Sequence, residues 1–429
     1  MASPNQHVSI QDALYGRIGF DAPFSQLLSA PIVQRMRHIR LSNIDSIDLP
    51  GIANLSRYEH VLGVAHLASI AGFRHTLTAS ERLVLDAAAV LHDWAITSFG
   101  HLVEEAFHYV GAQFEHESHL EVLAAGENGG DIGGVEHRQI LGGREMGLYP
   151  WIAKIASNAG EQDRLLSAIT DHIKGKGQYG QVIAGTIDLD NIDNVTRMAY
   201  HLGLIRDGEL AIRLAQSIVG VDEGSGAPIF APEAVASIEA WLELRRDVYT
   251  LLMLSEGDFA GKLMLISATV AAYEAGQMRL ADWSMTDAQF FEGLRTSPIA
   301  AVKETATRWL VGELWDMAPL SWFEGQRPDY AALHQFSAAL SEHMDRPFFA
   351  YGIKDKRDRR LNVMIAGQGL RTFGMDSNQW LLGFGSPKKL AISRKDQERS
   401  WSFAERHFGM RRLAAAAEEP MGSEPACLI

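Results

Sequence analysis

Two apolar runs with helical spacing carry ionisable side chains where a helix normally buries hydrocarbon. They are RYEHVLGVAHLA, Arg57 to Ala68, and VLHDWAITSFGH, Val90 to His101. Runs of this kind pack against neighbours, so His60, His92 and Asp93 go inside with them. A buried carboxylate without a cation or strong donors costs on the order of several kcal/mol, and the fold must supply a partner. Either these are ordinary core helices with a few satisfied polar groups, or the two helices jointly hold a metal ion. Imidazole and carboxylate together suit one borderline divalent metal, Mn, Fe, Ni or Zn, with Mg admissible. An aspartate from a later helix would complete a set of four with His60, His92 and Asp93.

Most of the first 290 residues read as helix. FSQLLSAPIVQRMRHIRL has apolar residues three and four apart, around a proline that starts a new helix. ERLVLDAAAVLHDWAI, DRLLSAITDHI, DNIDNVTRMAYHLGL, AVASIEAWLELRRDVYTLLML and AGKLMLISATVAAYEAG behave likewise. The glycine-rich GENGGDIGGVEHRQILGG reads as a surface loop. Near residue 345 the character changes: PFFAYGIK, RLNVMIAG and QWLLGFG are short, aromatic or branched, and bounded by turn residues, as strands are. The expectation is a mainly α chain: a helical core over residues 1–310, a smaller α/β region over 311–410, and a mobile tail over 411–429.

Three motifs fail on their context. GKGQYGQV, Gly175 to Val182, matches dinucleotide and kinase glycine loops as a pattern. A helix-like segment precedes it and a strand-like one follows, the reverse of the dinucleotide unit, so it reads as a plain turn. No HRD or DFG element follows it, as a kinase needs. HESHL has leucine where a zinc-protease helix needs its second histidine. DLDNID puts Ile192 where a calcium loop needs an oxygen ligand.

No apolar run reaches the roughly 18 to 20 residues that span a bilayer, so no membrane partner is expected. MASPNQHVSIQDALYG lacks the basic start and apolar core of a secretory signal, and a cytoplasmic location follows as the expectation. Cys427 is the single cysteine, which excludes a disulfide framework and a thiolate metal cluster. A net charge of −14 argues against a surface that coats nucleic acid. It leaves room for a small anionic substrate, because a metal and a few arginines make a local positive pocket.

The ordered segments resemble the HD-superfamily phosphohydrolases, and within them the deoxynucleoside triphosphate triphosphohydrolase branch. DALYGRIGFDAPFSQLLSAPIVQRMRHIRLSNIDSIDLPGIANLSRYEHVLGVAHLA is similar to the opening of that branch. LHDWAITSFGH resembles its His-Asp segment, FEHESH its following His-Glu helix, and IDLDNIDNVTRMAYHLGL the helix bringing the last metal ligand. RRDVYTLL and SMTDAQFFEGL carry fainter similarity, so the resemblance covers roughly residues 10 to 310. It implies an HD-domain helical core, one divalent metal ion, a nucleotide-type anionic substrate and a homo-oligomer.

By that resemblance His60, His92, Asp93 and Asp190 match the metal ligands, with Asp188 and Asp193 competing for the place of Asp190. Arg57 matches a phosphate-contacting arginine, and His101 lies near the substrate phosphates. His116, oriented by Glu117, matches a proton donor. The substrate-reading positions are rewritten. Ser42 stands where the branch has a sugar-reading glutamine, and Asn191, Asn194 and Met198 replace its lysine, tyrosine and aspartate. Ile96 replaces a histidine, and Trp241 and Arg245 replace an arginine and a histidine. Methionine cannot accept a hydrogen bond from a 3′-hydroxyl as a carboxylate does. Losing such readout changes the substrate class a site admits. The expected activity is thus metal-dependent hydrolysis of a nucleotide or nucleotide-like phosphate. The alternatives are a phosphomonoesterase, a hydrolase of a modified nucleotide, or a nucleotide-sensing module without turnover.

Overall fold

The computed structural model describes residues 8–42, 47–116, 148–387 and 391–415. Its first half is built of helices whose ends the sequence signals. Two short helices, α1 (Ala22–Leu28) and α2 (Pro31–Arg35), are separated at the proline that opens the second. Capping boxes start the next pair: Ser56 with Glu59 opens α3 (Arg57–Ile70), and Thr78 with Glu81 opens α4 (Ala79–Leu91). Then come α5 (Leu102–Tyr109), α6 (Tyr149–Ile155), α7 (Ala159–Ile173) and the single turn α8 (Gly180–Ile183). Asp188 caps α9 (Leu189–His201) by accepting from the Asn191 amide. The remaining helices are α10 (Glu209–Gln216), α11 (Val235–Leu254), α12 (Glu256–Glu274), α13 (Asp287–Arg295), α14 (Ala300–Leu310), α15 (Tyr330–Met344) and α16 (Arg394–Phe408).

Strands decorate this frame. β1 (Val8–Asp12) and β2 (Gly16–Phe20) form an antiparallel hairpin over DALYG. Toward the C-terminus β10 (Gln379–Ser386) carries β7 (Phe349–Lys354) on one side and β6 (Ser321–Glu324) and β5 (Asp316–Met317) on the other. A further sheet runs β3 (Ile218–Val221), β4 (Pro228–Phe230), β8 (Leu361–Ile365), β9 (Gly369–Phe373), with β4 and β8 parallel. That pairing joins strands from either side of residue 310.

The chain is therefore mainly helical with a smaller mixed α/β region toward its C-terminus, as the periodicity implies. Three details differ. The hairpin and the β3–β4 pair interrupt a stretch read as helix. Residues 180–183, at the end of the stretch read as a plain glycine-rich turn, form a helical turn. The tail expected from residue 411 begins with β11 (Arg412–Ala415) paired on β6. The loop expected at GENGGDIGGVEHRQILGG lies outside the described residues. No helix among the described residues is long and apolar enough to cross a membrane.

What matters for the site is how α3 sits. It packs on α4 on one side and on α9 on the other. Gly63 permits the second contact: a β-carbon there would collide with the Asp193 carboxylate and the Arg197 guanidinium. A glycine in mid-helix costs about 1 kcal/mol of propensity relative to alanine, a cost offset here by close approach.

Candidate metal centre

α3 supplies His60, the residues just after α4 supply His92 and Asp93, and the first turn of α9 supplies Asp190. The ligand atoms of His60, His92 and Asp93 all lie within 4.8 Å of one another. Asp190 Oδ1 is 3.0 Å from His60 Nε2 and 3.6 Å from His92 Nε2. His60 is fully buried, whereas the Asp190 side chain is 33% exposed, so the cradle opens on the Asp190 side.

Both imidazoles are oriented through their other nitrogen. His60 Nδ1 is 2.7 Å from Asp193 Oδ2, and His92 Nδ1 donates to the Ala89 carbonyl at 2.9 Å. This arrangement assigns the tautomer and aims both Nε2 atoms at one point. They stand 3.2 Å apart. Two nitrogen lone pairs at that separation repel unless a proton or a cation lies between them. The spacing matches two ligands on one ion with bonds of about 2.0–2.1 Å. The donor set fits a divalent cation.

The three aspartates at the start of α9 divide the work. Asp190 and Asp193, three apart on one helix face, meet His60 at its two different nitrogens. Asp193 is also paired with Arg197, which is fully buried and reaches Asp12 Oδ2 at 2.9 Å. Asp188 takes the capping role, accepting from the Gly185 and Asn191 amides at 2.6 and 2.7 Å. Burial and the neighbouring Asp190 charge push the Asp188 carboxyl up to about 7.

Burial disfavours the other carboxylates' charge as well, but partners outweigh it. Arg57, then His92 and His60, hold Asp93 far below the usual carboxylate range. Hydrogen bonds from His60 and His92 do the same for Asp190. Burial lowers His92, yet the Asp93 and Asp190 charges hold its imidazolium up to about 9. Metal entry at neutral pH must therefore displace that proton, and one displaced proton changes apparent affinity about tenfold per pH unit. The expected result is metal affinity that rises with pH and levels off near 9, with proton release in neutral buffer. Calorimetry in buffers of differing ionisation enthalpy measures it, and uptake without proton release contradicts it.

Beside the cradle, Glu104 gathers a second group. Its carboxylate lies 3.0 Å from His101 Nδ1 and 3.2 Å from His116 Nδ1, and the two rings are 5.1 Å apart. Burial pushes Glu104 up, but both histidines outweigh it and hold the carboxyl far below its ordinary range. His101, Glu104 and His116 also have metal-ligand spacing. Glu117, expected to orient His116, lies outside the described residues; Glu104 carries out that orientation here. Its position three residues after His101, in the first turn of α5, is the sequence signal that identifies it.

The segment between the two groups is strained. Phe99 has φ of 55° and Gly100 φ of 63°. A non-glycine residue in this region persists only where its surroundings hold it. Here the Phe99 amide donates to Asp287 Oδ1 at 2.6 Å, and the Arg40 guanidinium lies 4.8 Å above the Phe99 ring. The same Asp287 takes the Arg40 amide, which fixes the segment leading to Ser42.

The substrate positions come out unevenly. Arg57 NH1 is 2.5 Å from Asp93 Oδ2 and NH2 donates to the Leu41 carbonyl, so this buried arginine orients a metal ligand. Ser42 is buried next to Leu41. The Asn191 side chain is engaged with Asp188 and with Arg359 NH1. Asn194 Oδ1 is buried without a hydrogen-bond partner among the described residues. Arg245 is buried against Tyr249. Ile96 is fully buried.

Each of the two histidine–carboxylate groups has the spacing of a divalent-metal site, consistent with a metal-dependent hydrolase. No protein-family model matches the chain. An uncharacterized protein of Methanocaldococcus jannaschii is 21% identical over 279 residues, covering 65% of this chain and 52% of that protein. The chain thus spans about half the length of this curated relative.

Proposed function

We propose that the protein is a metal-dependent phosphohydrolase of the HD superfamily, similar to its deoxynucleoside triphosphate triphosphohydrolase branch, acting on a nucleotide-type phosphate. The convergence of His60, His92, Asp93 and Asp190 from three separate helical segments carries this reading. A divalent cation bound there supplies Lewis-acid charge and an acidified water at neutral pH. The chain's own residues supply orientation and proton handling. Arg57 fixes Asp93, Asp193 fixes His60, and Glu104 engages Nδ1 of His101 and His116 so that each presents Nε2. An imidazolium held this way protonates a departing oxygen. A binding module has no use for such a donor, which favours turnover over sensing.

A phosphomonoesterase or modified-nucleotide hydrolase is the second reading, favoured by the commitment of Arg57 to Asp93 and of Asn191 to Asp188 and Arg359. Metal analysis of the purified protein, followed by a nucleotide panel, separates them. Released inorganic triphosphate supports the first and orthophosphate the second. Bound metal with no hydrolysis of any phosphate ester overturns both.

A further inference from the structure

Helix α9 brings no free cation to the site. Its Arg197 is fully buried between Asp193 and Asp12, and Asn191, Asn194 and Met198 are neutral. Arg57 is spent on Asp93. A phosphate substrate must find its cations elsewhere, and four from distant parts of the chain are available.

Arg245, on α11, is 6% exposed, and its guanidinium lies 4.2 Å over the Tyr249 ring. Its Nε and NH1 are buried with no hydrogen-bond partner among the described residues. A guanidinium offers five donors, and leaving them unmet in the interior is costly. Arg327, in the loop before α15, lies 4.3 Å over the Tyr330 ring and likewise has a buried NH1 without a partner. Two lysines accompany them. Lys262, on α12, is 4% exposed, with Nζ 3.2 Å from Glu105 Oε2 and 4.5 Å from the Tyr351 ring centre. Lys356, just after β7, is exposed, and its backbone amide lies 3.5 Å from Met253 Sδ, one turn along α11 from Tyr249.

Helix α11, which carries Arg245 and Tyr249, packs on α9 of the cradle, and Glu105, paired with Lys262, follows Glu104 of the second group along α5. Burial, with Lys356 and Arg327 adding like charge against the opposing pull of Glu105, brings Lys262 down to about 8. Four cations share this place with Glu105 as the carboxylate paired to one of them. Like charges crowded at low exposure are stable when an anion joins them.

We propose that Arg245, Lys356, Lys262 and Arg327 form the phosphate-binding wall of this site, with Lys356 and Arg327 contributed by the C-terminal region. This wall takes the place of the cations that α9 lacks. Its placement rests on the phosphohydrolase reading above, but its test needs no turnover.

Calorimetric titration of the full chain with inorganic tripolyphosphate and with orthophosphate reads the wall directly, with and without prior chelation of metal. Tripolyphosphate is expected to bind about tenfold or more tightly than orthophosphate, because several charge-assisted contacts add. Lys356→Gln, at an exposed position, is expected to weaken tripolyphosphate about fivefold or more, and Lys356→Gln with Arg327→Gln about thirtyfold or more, at unchanged metal content. Lys356→Arg retains binding. Equal binding of the two anions, or variants that bind tripolyphosphate like the parent, overturns the wall even where nucleotide hydrolysis is found. Loss of binding in the variants of a protein that hydrolyses no phosphate ester keeps the wall and removes the phosphohydrolase.

Discussion

Replacing His92 and Asp93 together by alanine is expected to remove bound metal and hydrolysis at once while leaving the helical content recognisable. His92 contributes one of the two Nε2 atoms that face each other, and Asp93 the carboxylate buried beside them. With both gone, His60 and Asp190 are left as two ligands, too few to hold a catalytic ion of the three- or four-ligand kind. The two replacements differ in their effect on stability. Asp93 is the charge partner of the buried Arg57. Its removal strands that cation, which costs about 3–5 kcal/mol. His92→Ala alone should therefore lose metal with near-parental stability, and the double variant should lose metal and unfold at markedly lower denaturant. Metal analysis, far-ultraviolet circular dichroism and a denaturation curve on the same samples separate the effects. Parental turnover in the double variant refutes the metal centre.

Glu104→Gln should leave metal content intact and lower kcat by about 10²–10⁴, the range for a mispositioned general acid. Glutamine keeps the shape and one acceptor, but it cannot serve His101 and His116 as a shared anion. The effect should depend on the leaving group. An ester that expels nitrophenolate needs no protonation, so its hydrolysis should fall far less than that of an alkyl phosphate. A uniform loss across leaving groups would show that Glu104 acts on the fold, and metal loss would reassign its group to cation binding.

The sequence disclosed the parts of this arrangement that local patterning controls. His60, His92 and Asp93 stood out because apolar helical periodicity made their burial unavoidable. The Ser56–Glu59 and Thr78–Glu81 boxes mark the starts of the helices that carry or precede them. The aspartates of α9 remained ambiguous because three acids fall within two turns, and only packing against α3 decides which meets which nitrogen. Glu104 went unassigned since its role depends on the phase of a helix and on His116 folding back to it. The β1–β2 hairpin was missed because VSIQD and GRIGF are only five residues each, so their alternation is too brief to stand out beside the long helical runs that follow. Arg245, Lys262, Arg327 and Lys356 meet through tertiary packing alone, and no spacing rule joins them.

The parallel register of Ile229 with Met364 and Phe230 with Ile365 has a bearing on biosynthesis. A chain leaving the ribosome can assemble α3, α4 and α9, and with them the histidine–aspartate cradle, while β8 is still untranslated. The edge of β4 stays unpaired until the later strand arrives, a delay that favours association with other chains or with chaperones. The order of synthesis thus makes the cation cradle early and the sheet closure late, and an ion captured during translation would stabilise the first part while the second is still awaited.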